Sequence, residues 1–297
     1  MNWPINENYI ADASDLGSLR VYSRKNLEVV WENKNEYFYA VQILSNGDIV
    51  GFYGTLQCWT PKGRKRWVNH SLPKESQYTP RIQESRRYVF MNVGDILFGI
   101  HKKTGKTAFT QEYLRLKDFI ALSEDDYVVD HDAGISYVQN KETVHHYAIS
   151  RNNLTQSMAE LVISPSHQLL LVSGMREYVV LSVPQLQVMY QFHPVFSVRA
   201  AILQQFSWDQ QKMACLSDHG VLTIYSLATG SSTQKNVMAQ EITDSYSNPR
   251  SSTVYISNKH GQKWIKISLF DHDKLASLLY GHPHPMPWAQ KFLARPR

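Results

Sequence analysis

The stretch Leu161–Phe192 reads LVISPSHQLLLVSGMREYVVLSVPQLQVMYQF, and short apolar runs alternate in it with short polar breaks. Four runs stand out: Leu161–Ile163, Leu169–Ser173, Tyr178–Val183 and Val188–Phe192. They are rich in Leu, Val, Tyr and Phe, too short for stable helices, and show no helical period. The breaks hold Ser, Pro and Gly, residues that favour turns for reasons of backbone geometry. The stretch therefore predicts a four-stranded antiparallel meander. Its alternation is imperfect, as expected of a sheet covered on both faces by neighbours.

The same unit recurs along the chain. A signature of apolar, any residue, apolar, strand-former begins at Leu19 (LRVY), Leu56 (LQCW), Leu97 (LFGI), Ile135 (ISYV), Val179 (VVLS), Leu222 (LTIY) and Ile265 (IKIS). Successive copies lie 37 to 44 residues apart. A second marker keeps step with it. Polar tetrads stand upstream at Ser45 (SNGD), Glu84 (ESRR), Ser123 (SEDD), Ser164 (SPSH), Ser207 (SWDQ) and Ser247 (SNPR). Each interrupts two strand-like runs and reads as a hairpin turn, most clearly at Asn46-Gly47. A period of about 40–45 residues with four strands per repeat is that of propeller blades. The expected fold is all-β, a seven-bladed β-propeller of four-stranded antiparallel blades over residues 1–270. Residues 271–297 are expected to form a short helix over Asp273–Tyr280 (DKLASLLY), a Pro/His-rich connector and a basic tail. Unit one has little room for an inner strand. Either Trp3–Ile5 supplies it or Trp288–Leu293 returns to complete the ring.

The totals agree. Hydrophobic residues make up 43% and charged residues 19% of 297, with 17 Tyr and 7 Trp, a composition with a real core and a lean toward strands. The formal charge is +5, a mild bias toward acidic partners. Cys58 and Cys215 sit in apolar stretches and read as buried free thiols. The start, MNWPINENY, lacks the basic and apolar regions of a secretory signal, and no run approaches the roughly 18 apolar residues of a membrane span. The cytoplasm is the expected compartment.

The segment Ser217–Gly230 (SDHGVLTIYSLATG) resembles the core of a tryptophan–aspartate (WD) repeat, and Ile163–Gly174 (ISPSHQLLLVSG) resembles its preceding hairpin. TPKGRKRW from Thr60 and KKTGKTAF from Lys102 are closer to the quinoprotein-like branch. No unit has the terminal Trp-Asp in place or the opening Gly-His. The resemblance covers about residues 5–270 and implies a circular seven-bladed propeller used mainly for protein–protein contacts.

Little in the chain suggests catalysis. Asp130-His131-Asp132 could orient an imidazole as a base, but similar turns recur at Asp218-His219-Gly220 and Lys259-His260-Gly261, which favours a folding role. His282/His284 and His145-His146 are incomplete as zinc sites, which need three or four ligands. There is no phosphate-binding Gly-rich loop and no Gly-x-Ser-x-Gly elbow. Neither a metal nor another cofactor is expected.

Charge placement is more informative. In a four-stranded meander the first and third turns share one end. That end collects Arg24, Lys25, Lys62, Arg64, Lys65, Arg66, Arg86, Arg87, Lys102, Lys103 and Lys106, and Glu124, Asp125 and Asp126 then interrupt the arc. The arc is the first candidate docking surface, for an acidic protein; RNA phosphates or an anionic lipid are weaker readings, RNA because no stacking aromatics interleave the charges. The opposite end, with Asp130, His131, Asp218, His219 and His260, is the second candidate. The expected function is a non-catalytic scaffold or adaptor, a monomeric propeller within a complex. The alternatives are an immunity or inhibitor protein against a toxin, and a hydrolase or lyase using the His/Asp end.

Overall fold

The computed structural model describes residues 8–14, 18–23, 25–26, 28–34, 36–74, 80–149, 160–173, 177–193, 201–207, 209–237, 242–247, 253–258, 264–270 and 277–278. Among them there are strands and turns and no α-helix. The strands form seven antiparallel sheets, divided between two compact units, residues 3–148 and residues 149–297 with Met1–Asn2.

The unit of residues 3–148 holds four sheets. Sheet one comprises β1 (Tyr9–Ser14), β2 (Ser18–Ser23) and β3 (Val29–Asn33). Sheet two comprises β4 (Ala40–Ile43), β5 (Ile49–Phe52), β6 (Leu56–Trp59) and β7 (Lys65–Asn69). Sheet three comprises β8 (Ile82–Glu84), β9 (Tyr88–Val93), β10 (Ile96–His101) and β11 (Thr107–Glu112). Sheet four comprises β12 (Asp118–Ala121), β13 (Asp126–His131), β14 (Gly134–Gln139) and β15 (Glu142–Ala148).

The other unit holds three. Sheet five comprises β16 (Glu160–Ile163), β17 (Leu169–Ser173), β18 (Tyr178–Ser182) and β19 (Val188–Phe192). Sheet six comprises β20 (Ala201–Phe206), β21 (Lys212–Ser217), β22 (Val221–Ser226) and β23 (Ser232–Asn236). Sheet seven comprises β24 (Ile242–Ser247), β25 (Thr253–Asn258), β26 (Trp264–Ser268) and β27 (Ser277–Leu278).

In sheets two to seven the signature falls on the third strand of the meander, and in sheet one on β2, the second of its three described strands; the strands expected in Leu161–Phe192 match β16–β19 to within one residue at each end. One correction concerns the tail. Where a helix is expected over Asp273–Tyr280, Ser277–Leu278 forms β27, paired to Ile265 and Lys266 of β26. The open edge of β26 offers a ladder that a two-turn helix cannot match; the rest of that segment lies outside the described residues. Sheet one has three described strands, and both candidates for its inner strand, Trp3–Ile5 and Trp288–Leu293, lie outside the described residues as well.

Packing explains why apolar residues occupy both faces of these strands. One buried cluster joins sheets one and two through Leu19, Val21, Ile49 and Trp59. The next joins sheets two and three through Phe52, Cys58, Trp67, Met91 and Ile100, and a third joins sheets three and four through Phe90, Leu97, Phe119 and Val129. In the other unit, Leu171, Tyr178, Phe206 and Tyr225 join sheets five and six. Each core therefore lies between two sheets, and strict alternation is lost because both faces are interior. Cys58 and Cys215 are buried free thiols in these cores, and burial pushes both up to about 12.

A recurring bulge marks the outer strand. The register slips at Val21/Tyr22, Cys58/Trp59, Gly99/Ile100, Tyr137/Val138 and Val180/Leu181. A bulge adds one residue to one strand and sharpens its twist. In sheet five the slip places Tyr178, rather than Val179, in step with the first residue of the other signatures. Opposite the slip stands a ring each time: Trp31, Trp67, Phe109, His145 and Tyr190. Trp31 covers Gly63 so closely that a Cβ there would lie 2.1 Å from its ring, and Trp67 covers Gly105, where the distance would be 2.4 Å. Both glycines have positive φ, 81° and 71°, a conformation that costs a side chain energy. Lys141 lies over Phe109, 5.2 Å from the ring centre. Trp31, Trp67 and Phe109 thus dock on the third turn of the following sheet.

Candidate functional site

Backbone bonds join first and third turns at one end of sheets three, four, five and six. Lys102 N donates to Arg87 O at 2.9 Å, Asn140 N to Asp125 O at 2.9 Å, Val183 N to Gln168 O at 2.8 Å and Leu227 N to Gln211 O at 2.8 Å. In sheet two, a Cβ on Gly47 of the first turn would lie 3.5 Å from Pro61 Cγ of the third, and 3.6 Å from the ring of Tyr9. Tyr9 is paired with Ser23, beside Lys25.

Three residue pairs tie sheets two and three together at this end. Ser45, in the first turn of sheet two, donates through its N–H (2.5 Å) and hydroxyl (2.8 Å) to the Glu84 carboxylate. The Trp67 indole donates to Lys102 O at 2.8 Å, and the Asn69 amide donates to Gly105 O at 2.8 Å. Trp67 and Asn69, both on β7, thereby hold the outer strand of sheet two against the third turn of sheet three. Ser45 and Glu84 likewise tie the first turn of sheet two to the end of β8 in sheet three.

Counter-charges sort its members. Lys102 is half-buried and lies 2.5 Å from Glu84, so it fixes the turn. Arg66 lies 3.4 Å from Asp48. Lys62, Arg64, Lys65, Arg86, Arg87, Lys103 and Lys106 are exposed and form no ion pair among the described residues. Exposed like charges add their fields over about a Debye length of 8–10 Å. Lys25 is exposed on the third turn of sheet one; Arg24 lies outside the described residues. Beyond sheet three the sign changes at Glu124, Asp125 and Asp126, where Ser123 donates to the Asp126 carboxylate at 3.0 Å.

The residues expected at the opposite end are divided between the two units. Asp130 is fully buried, and neither carboxylate oxygen has a hydrogen-bond partner. Lys117 Nζ is 4.0 Å away, and desolvation pushes Asp130 up to about 7 despite that cation. His131 shares Ser136 Oγ with His146, at 2.8 and 3.0 Å, and burial and the His146 charge lower its pKa. Asp218 and His219 belong to the other unit and lie 3.0 Å apart; His260 lies outside the described residues. Among the described residues no three His, Cys, Asp or Glu side chains are grouped to hold a metal, and no helix is long and apolar enough to cross a membrane.

Solved structures superpose on this arrangement of sheets. Hsv2 of Kluyveromyces lactis matches with a TM-score of 0.66 at 10% identity, over 93% of this chain and 95% of that one. The Cps50 (Swd1) β-propeller domain of Myceliophteria thermophila matches with a TM-score of 0.64 at 12% identity, over 85% and 90%. The chain has a β-propeller fold. BamB of Moraxella catarrhalis is a further structural neighbour, with a TM-score of 0.56 at 13% identity over 86% and 92%. No protein-family model matches this propeller, and no curated protein matches it by sequence. At such identities the likeness extends to fold alone.

Sequence reasoning missed the groups that choose among the cations. Asp48 and Glu84 lie 18 residues from Arg66 and Lys102 respectively, and no local motif signals those pairings. It also missed exposed aromatics at the other end of sheet two, taken up below.

Proposed function

We propose that this propeller is a non-catalytic, seven-bladed binding scaffold that captures an acidic surface of another protein on the basic rim of sheets two and three. Seven signatures and seven sheets support the blade count. The observation that carries the function is the set of seven exposed cations, without counter-ions among the described residues, on sheets tied together by Glu84, Trp67 and Asn69. A protein does not leave like charges adjacent without cost, and a negatively charged partner removes that repulsion.

Chemistry narrows the partner to protein. None of the large exposed hydrophobics lies on the rim turns at 60–64, 85–87 or 102–106, so no ring is offered for base stacking and no apolar wedge for a bilayer. Against a hydrolase stands the state of Asp130, whose oxygens reach no donor, while His131 is held by Ser136. The scaffold reading places the protein in the cytoplasm as a monomer within a complex, in keeping with its two free thiols.

Reversing Arg64, Lys65, Arg86 and Arg87 to Glu together tests the rim. Arg66 is left intact because it neutralises Asp48. Exposed charges contribute roughly 0.2–1 kcal/mol each, so capture of the native partner from cell extract should fall at least tenfold, with thermal stability unchanged. Raising the salt toward 0.5 M should weaken wild-type capture in the same direction. Undiminished capture by the quadruple variant removes the rim from the account.

A further inference from the structure

The other end of sheet two carries a feature that the basic rim does not use. Tyr37, Tyr39 and Tyr53 are 59%, 58% and 40% exposed. Tyr39 and Tyr53 stack with ring centres 6.0 Å apart at an angle of 27°. Tyr53 opens the second turn of sheet two, so this patch faces away from the first and third turns.

The segment that presents them is pinned. Phe38 covers Gly51, where a Cβ would lie 2.7 Å from its ring, and meets Trp59 edge-on at 5.5 Å. Tyr39 N donates to Phe52 O at 2.9 Å. Glu36 accepts from the Gln57 amide at 3.1 Å and from the Asn33 amide at 3.2 Å. Phe38 is spent on the core, and its two neighbours are pushed into solvent on a fixed backbone. Rigid tyrosines offer a large contact area at little cost in side-chain freedom, and such residues concentrate binding energy at interfaces.

We propose that Tyr37, Tyr39 and Tyr53 form a second docking surface, which takes an extended proline-bearing segment of a partner protein flanked by a carboxylate. Pyrrolidine rings stack on exposed aromatic faces. A polyproline II segment makes no internal hydrogen bonds, so its carbonyls need donors, and hydroxyls at the tips of three tyrosines supply them. The flanking acid follows from Lys74. It is exposed and forms no ion pair among the described residues, and its backbone lies 3.6 Å from the position of a Cβ on Gly54, next to Tyr53. Lys34, by contrast, is neutralised by Glu32 at 3.6 Å. A nucleic-acid strand fits poorly, because the Glu36 carboxylate stands in the same segment as the rings and Lys74 is a single cation. This surface is separate from the basic rim and does not depend on it.

The test uses the full chain and a fluorescently labelled peptide of eight prolines followed by two glutamates, read by anisotropy. Saturable binding below 1 mM is expected (an order-of-magnitude bound for a weak peptide contact). Tyr39→Ala with Tyr53→Ala should weaken it at least tenfold, Tyr37→Ser severalfold and Lys74→Glu severalfold, and the rim quadruple variant should bind as wild type. Tyr37 makes no ring contact among the described residues, so Tyr37→Ser keeps the readout if the double variant fails to fold. The proposal is overturned by absence of saturable binding, by equal binding of a Gly/Ser peptide with the same two glutamates, or by tyrosine variants that bind normally. Sedimentation showing self-association that Tyr37→Ser abolishes would also overturn it, since a second copy would then cover the patch.

Discussion

Replacing Trp67 by Ala should lower stability by about 3–5 kcal/mol, the range for removing a large buried aromatic, and should weaken partner capture as well. Trp67 is 8% exposed and belongs to the core between sheets two and three. Its ring sits on Gly105, and its indole N–H holds Lys102 O at 2.8 Å. Truncation opens a cavity and also leaves that carbonyl without its donor, a loss of about 1 kcal/mol by itself. Trp67→Phe separates the two effects: most of the packing remains and only the hydrogen bond goes. Urea unfolding followed by far-UV circular dichroism checks both variants. The expected order of midpoints is wild type, then Trp67→Phe, then Trp67→Ala. Lys103 and Lys106 ride on the turn that Trp67 fixes, so capture should decline in the same order. A midpoint for Trp67→Ala equal to wild type would show that the outer-strand rings do not fasten neighbouring blades.

The second large effect concerns pH. Asp130 is pushed from an ordinary 3.8 up to about 7 by burial. Below pH 4 the carboxyl is protonated in both folded and unfolded chains and costs nothing. Between about pH 4 and 7 the unfolded chain releases the proton while the folded chain keeps it, so stability falls as pH rises. Above about 7 the folded protein holds a buried charge whose nearest cation, Lys117, is 4.0 Å away and partly exposed, and the penalty is complete. Asp130→Asn cannot ionise. It should therefore match wild type near pH 4 and exceed it by roughly 2–4 kcal/mol at pH 8, each pKa unit being worth about 1.4 kcal/mol. His131 shifts in the opposite sense, its lowered pKa destabilising the fold as pH falls below its ordinary value of 6.5, but that contribution is common to both proteins and cancels in the difference. Melting temperatures at pH 5, 6.5 and 8 decide the matter. Parallel curves for the two proteins would mean that Asp130 is solvated or satisfied in the folded state.

The blades were legible because two independent signals kept step. The apolar signature marks the third strand, whose two faces lie in different cores, and the polar tetrad marks the first turn, which must leave the sheet. The outer strand was partly legible. Gly63 and Trp67, like Gly105 and Phe109, are four residues apart, but the glycine and the ring within each motif belong to contacts with different neighbours, which no local pattern can tell. Asp130 was misplaced by the sequence as an exposed turn residue, because a carboxylate beside His131 and Gly134 resembles turn chemistry and nothing local reports burial. The patch around Tyr37-Phe38-Tyr39 was hidden for a related reason. Three consecutive rings read as strand, and only the packing of Phe38 on Gly51 decides which of them face outward. The rim cations could be assigned to one end from topology alone, whereas their selection by Asp48 and Glu84 needed three dimensions.

Cross-linking of the complex isolated from its native cells, read by mass spectrometry with an amine-to-carboxylate reagent, tests the scaffold account most directly. Lys62, Lys65, Lys103 and Lys106 should join to Asp or Glu of one partner protein, and those links should disappear when Arg64, Lys65, Arg86 and Arg87 are reversed to Glu. Partner links confined to other faces, with these four lysines unmodified by any partner carboxylate, would contradict the claim that the basic rim is the working surface.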